Sequence, residues 1–159
     1  MRYPLQSPDT ITLGLQTLVC LDIAAVTAYD AAIDALEHPE LARTLTGFRD
    51  DHRAHIAALT RHLNDMEARA PTHSGGLAFR TRGNVLFSAS FGDNAILTAM
   101  LVNEFDTNMA YGLAGGYPGW PAAIRETIDR GADDESRHRR WIQARLTQAW
   151  VPAFRVLGA

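Results

Sequence analysis

The 159-residue chain has one cysteine, Cys20, and no lysine at all. A single thiol excludes an intramolecular disulfide, so a reducing, cytoplasmic setting is the simplest expectation. No run of about 18 uninterrupted apolar residues occurs, and no membrane-spanning segment is expected. The stretch from Met1 to Asp9 lacks the apolar core of a signal peptide, which argues against secretion. Charge imbalance is slight too. Fifteen basic residues, all arginine, face 18 acids for a formal net charge of −3, too mild to imply a nucleic-acid partner. Sustained period-two alternation is also missing, which leaves an all-α chain.

The length suits one domain spanning 1–159, and a chain of this size buries roughly 68–70% of its unfolded surface without a disulfide. Ser7-Pro8-Asp9 offers helix-start chemistry. Ile11, Leu15, Leu18, Asp22, Ala25, Tyr29, Ile33 and Leu36 then trace one helical face over residues 10–37. Pro39 opens a second helix, expected to run to about residue 68. Gly75-Gly76 marks a loop. The stretch 77–91 is mixed, with a short helix over 84–90 favoured over a strand at 85–87. Asp93 is the expected cap of a third long helix, with a stripe of Leu97, Leu101, Glu104, Asn108 and Tyr111. Pro121 opens a fourth, running to about residue 149. Residues 150–159 form an apolar tail that would dock on the helices or on a neighbouring copy, so a homodimer is one expectation.

Each long helix carries a metal-ligand residue type in the middle of its apolar stripe: Asp22, then His52 with His55, then Glu104, then Glu135 with His138. An isolated charge there is costly to bury. Residues three apart share a helical face, so each motif can address one ion from one side. The pattern also repeats. At an offset of 83, Leu41, Leu45, Phe48, His52, His55 and Leu59 fall on Ile124, Ile128, Gly131, Glu135, His138 and Ile142. At an offset of 82, Asp22 and Tyr29 fall on Glu104 and Tyr111. Two helix pairs of one design, joined by a long linker, explain this. Asp51 and Asp134 precede His55 and His138 by four residues. They are candidates to accept the outer N–H of a metal-bound imidazole, on their own helix or across to the partner helix. Tyr29 and Tyr111 could hydrogen-bond ligand oxygens.

Carboxylate, motif, carboxylate, motif is the order of the ferritin-like carboxylate sites. Asp134-Glu135-Ser136-Arg137-His138 resembles the Asp-Glu-x-Arg-His motif of diiron monooxygenases, and the whole of residues 10–149 resembles small bacterial ferritin-like and rubrerythrin-related proteins. The resemblance implies an antiparallel four-helix bundle with a long crossover. It also implies a two-metal centre (iron first, manganese or zinc otherwise) that reacts with O₂ or peroxide as an oxidoreductase or ferroxidase. Asp22 and Glu104 then take the single-carboxylate positions, His55 and His138 the imidazole positions, and Glu135 the bridging position. Two departures stand out. Asp22 is one methylene shorter than the family's Glu, and His52 stands where a second bridging Glu belongs. Asp51 could swing in as the missing acid.

The plainer reading is a bundle that has lost its metal and serves as an interaction or stress-response module, its histidines satisfied by carboxylates. A pH-sensitive helical assembly is a third reading. Asp30 is a second candidate for the ligand on the first helix. His62 reads as solvated or rim, Cys20 as packing, His38 and His73 as loop residues without a role, and Arg137, Arg139 and Arg140 as a solvated face with some pairing.

Overall fold

The computed structural model describes residues 8–149, which fold into five helices: α1 (Pro8–Ala35), α2 (Pro39–Asp65), α3 (Gly76–Ala89), α4 (Asp93–Gly115) and α5 (Ala122–Ala149). No strand occurs among the described residues. The chain is therefore all-α, as its periodicity indicates. The apolar tail lies outside the described residues.

Local chemistry explains most boundaries. His38 is extended (φ −87°, ψ 111°) because Pro39 follows it and disfavours helix at the preceding residue. The expectation for α2 is three residues too long. Its end is a Schellman turn in which Glu67 N–H donates to Asn64 O at 2.9 Å and Ala68 N–H to Leu63 O at 2.9 Å. That turn puts Glu67 at φ 57°, a position glycine normally fills. The linker is more ordered than expected: α3 starts at Gly76, not near residue 84, and no strand forms at 85–87. Asp93 is not the cap of α4. Gly92 is, at φ 87°, and the Asp93 carboxylate is used elsewhere. It accepts the backbone N–H of Glu37 at 2.9 Å and of His38 at 3.1 Å, and it pairs with the His38 ring. His38 thus has a role after all, clasping the α1–α2 turn to the start of α4.

Cross-helix contacts set the topology. Gln16, Asp22 and Asp30 of α1 meet Arg69, His52 and Arg49 on or just after α2, so α2 runs antiparallel to α1. Tyr29 meets Glu104 and Asp22 meets Tyr111, so α4 is antiparallel to α1. Asp51 meets His138, His55 meets Asp134 and His62 meets Thr127, so α5 is antiparallel to α2. Since α2 and α4 point the same way, the chain between them must travel back along the molecule, and α3 does so while packing on α1 and α4.

That arrangement accounts for the composition of α1. Over Thr10–Ala35 it is long and apolar enough to cross a membrane by length and hydropathy alone, although it lacks an uninterrupted apolar run. Here α2, α3 and α4 all pack against it, and a helix enclosed on several sides is apolar nearly all round. Two apolar clusters form. One centres on Ala28, Tyr29, Leu45, Phe48, Leu97, Met100 and Ile142. The other centres on Leu15, Leu18, Val19, Leu59, Leu63, Tyr111, Trp120 and Ile128. Along every long helix the ligand-type residues fall between them.

Candidate metal centre

That middle layer brings together all six residues singled out from the sequence. Asp22, His52, Glu104, Glu135 and His138 are fully buried, and His55 is 8% exposed. One donor atom from each of Asp22, His52, His55 and Glu135 lies within 4.8 Å of the others, as does one from each of His52, Glu104, Glu135 and His138. The two groups share His52 and Glu135. They describe two adjoining positions, each with one carboxylate and one imidazole of its own.

The surroundings are reciprocal. Tyr29 of the first helix pair donates to Glu104 Oε1 of the second at 2.5 Å, and Tyr111 of the second donates to Asp22 Oδ2 of the first at 2.8 Å. His55 Nε2–H donates to Asp134 Oδ2 at 3.2 Å, and His138 Nε2–H to Asp51 Oδ2 at 3.0 Å. Asp51 therefore stays outside as a partner of His138 and does not swing in as the missing acid. The pairing expected of the arginine face falls on Arg137, which reaches Asp51 Oδ2 at 2.7 Å and Asp134 Oδ1 at 2.9 Å, joining the two acids that hold the imidazoles.

A carboxylate only accepts, so each outer Nε2 carries a proton, and in the neutral ring each Nδ1 turns its lone pair inward. His55 Nδ1 then faces Asp22 Oδ1 and Glu135 Oε1, both at 3.6 Å, and His138 Nδ1 faces Glu104 Oε2 at 3.5 Å. These are not hydrogen bonds. His52 Nε2, His55 Nδ1, Glu104 Oε2, both Glu135 oxygens and His138 Nδ1 are buried without a hydrogen-bond partner. Two donors at about 2.0–2.2 Å from one ion stand roughly 3–3.5 Å apart; the inward contacts here are at or just beyond that, 3.5–3.6 Å, within groups whose donors all lie within 4.8 Å. The donor set and its orphaned atoms fit a divalent metal.

His52 is the exception. Its Nδ1 is 2.9 Å from Asp22 Oδ1 and 3.3 Å from Glu135 Oε1, and its Nε2 is 3.5 Å from Glu104 Oε1. It lies among three carboxylates where the resemblance puts a fourth. Burial disfavours the imidazolium, but the charge of Glu135 and the contacts to Asp22 and Glu104 outweigh it and hold the pKa well above the ordinary value. His55, likewise opposed by burial, is raised by Asp22 and Asp134. Burial would raise the acids as well. In Asp22 the facing imidazoles of His52 and His55 win, and the pKa is lowered. In Glu104 the rings of His138 and His52 bring it down to about 2. Glu135 goes the other way, pushed up to about 7 by burial and by the charges of Glu104 and Asp22 against the opposing pull of His52. Without a cation the three buried carboxylates thus draw protons to the layer: they raise His52 and, less far, His55, and Glu135 is itself raised, so a proton on His55 Nδ1 stands where a cation could.

Several participants escaped the sequence reading. Phe48 stacks on His138, with centroids 4.2 Å apart and a 27° interplanar angle, and Trp141 closes on Phe48 edge-on. The inner stripe of α4 is Ile96, Leu97, Met100, Glu104, Thr107 and Tyr111, not the expected set with Leu101 and Asn108. Phe48 and Gly131 occupy equivalent repeat positions. A Cβ at 131 would overlap the Tyr111 ring, so glycine there lets Tyr111 reach Asp22. Asp30 is not a ligand: it is half-exposed and pairs with Arg49 at 3.1 Å. His62 bonds Thr127 Oγ1 at 2.8 Å. Cys20 is only partly buried, its thiol 3.8 Å from the His73 carbonyl.

Comparison with models of protein families, with characterised proteins and with solved structures finds no match to this chain. Fold and site by themselves define the class: an all-α protein whose buried His, Asp and Glu side chains form groups able to hold metal ions.

Proposed function

We propose that the chain is a ferritin-like protein: an antiparallel four-helix bundle with a two-metal centre, iron first among the candidates, acting as an oxidoreductase or ferroxidase on O₂ or peroxide. One observation carries this reading. Two imidazole nitrogens, His55 Nδ1 and His138 Nδ1, are buried without a hydrogen-bond partner and face carboxylate oxygens 3.5–3.6 Å away, of which Glu135 Oε1 and Glu104 Oε2 also have no donor. Like partial charges at that distance in a low-dielectric interior repel, and a cation between them reverses the sign.

Asp22 with His55 would hold one ion, Glu104 with His138 the other, and Glu135 would serve both. Iron bound there would supply the electrons for reducing O₂ or peroxide. The chain's own residues do the rest. Asp51 and Asp134 hold the imidazoles by their outer nitrogens, and Arg137 ties those two acids together. Tyr29 and Tyr111 fix one oxygen each of Glu104 and Asp22; the other oxygen of Glu104 has no partner, and that of Asp22 faces His52 Nδ1 at 2.9 Å. Their phenols are held well above the usual range by burial and by those same carboxylates, so they stay protonated as donors. Phe48 and the apolar clusters on both sides keep water out.

The test is metal content per chain after anaerobic Fe(II) loading and desalting, for wild type and Glu135→Ala. Two irons per chain, lost in the variant, is the expected result. One retained ion would restrict the centre to the group of Glu104, Glu135 and His138. No retained iron, zinc or manganese would defeat the reading.

A second reading rests on His52. Its ring sits 2.9 Å from Asp22 and within 3.5 Å of Glu104 and Glu135, where it neutralises the layer as a buried imidazolium. On that reading the bundle is a metal-free interaction or stress-response module, and chelators leave its melting temperature unchanged.

A further inference from the structure

The outer surface of α3 and α4 departs from the rest of the molecule. α2 and α5 turn arginines and acids outward, as helices with one buried face do. α4 turns out Val102 (58% exposed), Phe105 (57%), Met109 (51%) and Leu113 (72%) at spacings of three and four, a second apolar stripe opposite the one that carries Glu104. α3 and the residues after it add Phe79 (83%), Leu86 (48%), Phe87 (72%) and Phe91 (68%). The two sets are continuous. Phe87 and Val102 line one groove between α3 and α4, and Phe79 and Val102 line the next.

We propose that this α3/α4 face is a self-complementary interface, and that its occupant is a second copy of the chain related by a two-fold axis. Area is the first argument. Four exposed phenylalanines, at roughly 150–250 Å² each when fully exposed, and four exposed aliphatic side chains together offer on the order of 900 Å². That exceeds the largest patch of a typical monomer, about 300–600 Å², and meets the roughly 800 Å² per partner of a stable complex. Charge is the second. The charged residues of α3 are Arg80 and Arg82, with no acid. α4 has acids only, and Asp106 is the exposed one along the stripe. Among the described residues, Arg80, Arg82 and Asp106 take part in no ion pair. A two-fold axis that lays α3 of one copy on α4 of the other brings arginine to aspartate twice, as an isologous contact requires. Arg80 and Asp106 line the groove beside Phe79 and Val102, so charge and apolar area lie together on the face offered to a partner. The site needs nothing from the partner, so this assembly is independent of whether metal binds.

Sedimentation equilibrium on the full chain at micromolar concentration tests it. Wild type is expected at the mass of two chains. Phe87→Glu and, separately, Val102→Arg are expected to raise the dissociation constant by about 30-fold or more while leaving the helical circular dichroism intact. Both positions are solvent-facing in the single chain, and either variant that stays helical suffices. A monomeric wild type, as would result if residues 150–159 of the same chain covered the face, overturns the proposal. So does a dimer that survives both substitutions.

Discussion

His52 decides more than any other residue. It is the one position where this chain breaks the pattern of paired carboxylates, and it stands in contact range of all three acids of the layer. Removing one partner from a buried ionic set leaves an uncompensated charge, at a cost of about 3–5 kcal/mol. His52→Glu replaces that cation with a fourth acid. In the presence of a chelator the variant should therefore melt well below wild type, by several degrees. Loaded with iron it should hold the metal more tightly than wild type, because four carboxylates balance two divalent ions where three leave an excess of +1. Opposite signs for stability without metal and for metal retention are the expected outcome. Thermal melts in chelator, paired with metal content after desalting, read both. Equal loss of the two would mean that His52 is itself an indispensable ligand.

At the scale of elements, the ends of the helices are held by side chains whose roles are not local. The Asp93 carboxylate joins the α1–α2 turn to the start of α4 by accepting from Glu37 N–H, His38 N–H and the His38 ring. Burial opposes its charge, but these donors outweigh it and lower its pKa. Asp93→Ala removes every one of those acceptors and should destabilise the chain by about 1–2 kcal/mol, with metal content unchanged. Urea denaturation with a constant m-value measures it. The sequence places Asp93 correctly next to a helix start, but it reads as a cap because capping is the local use of an aspartate there. Gly92 caps instead, and the aspartate serves a contact 55 residues away. The α3 helix was only half legible for a related reason. It buries Val85 alone, so its sequence shows little of the periodicity by which a helix is read.

For the molecule as a whole, the polar layer makes stability depend on pH, with a sign that follows from the groups involved. Glu135 sits at about 7 in the folded chain, against roughly 4.3 when unfolded. His52 and His55 are also raised above their ordinary value near 6.5. All three bind protons more tightly folded than unfolded, so their contribution is complete at low pH and is lost as the pH rises through their folded values. Asp22 and Glu104 are lowered. Their contribution is present above about pH 4 and is lost as the pH falls toward 2. The metal-free chain should therefore be most stable near about pH 5, with a melting temperature that falls steadily toward pH 8. Differential scanning calorimetry in chelator checks this, and a flat profile between pH 5 and 8 would contradict the charge assignment. Bound metal takes the place of the protons and should reverse the trend across that range.

Some of this was settled along the chain itself. The all-α class, the positions of the four long helices and the six ligand-type residues follow from spacing, because a helix puts every third or fourth residue on one face whatever lies across from it. The repeat also makes Asp51, Asp134, Tyr29 and Tyr111 visible as a matched set. What spacing cannot supply is the neighbour. That Tyr29 serves Glu104 and Tyr111 serves Asp22, that Asp51 holds His138 and not its own helix's His55, that Phe48 covers an imidazole, and that Asp30 is spent on Arg49 all depend on which helices adjoin and in which direction. That choice was made by α3, which returns the chain along the molecule before α4 begins. It sets α1 antiparallel to α4 and α2 antiparallel to α5, and so turns two similar helix pairs into one reciprocal site.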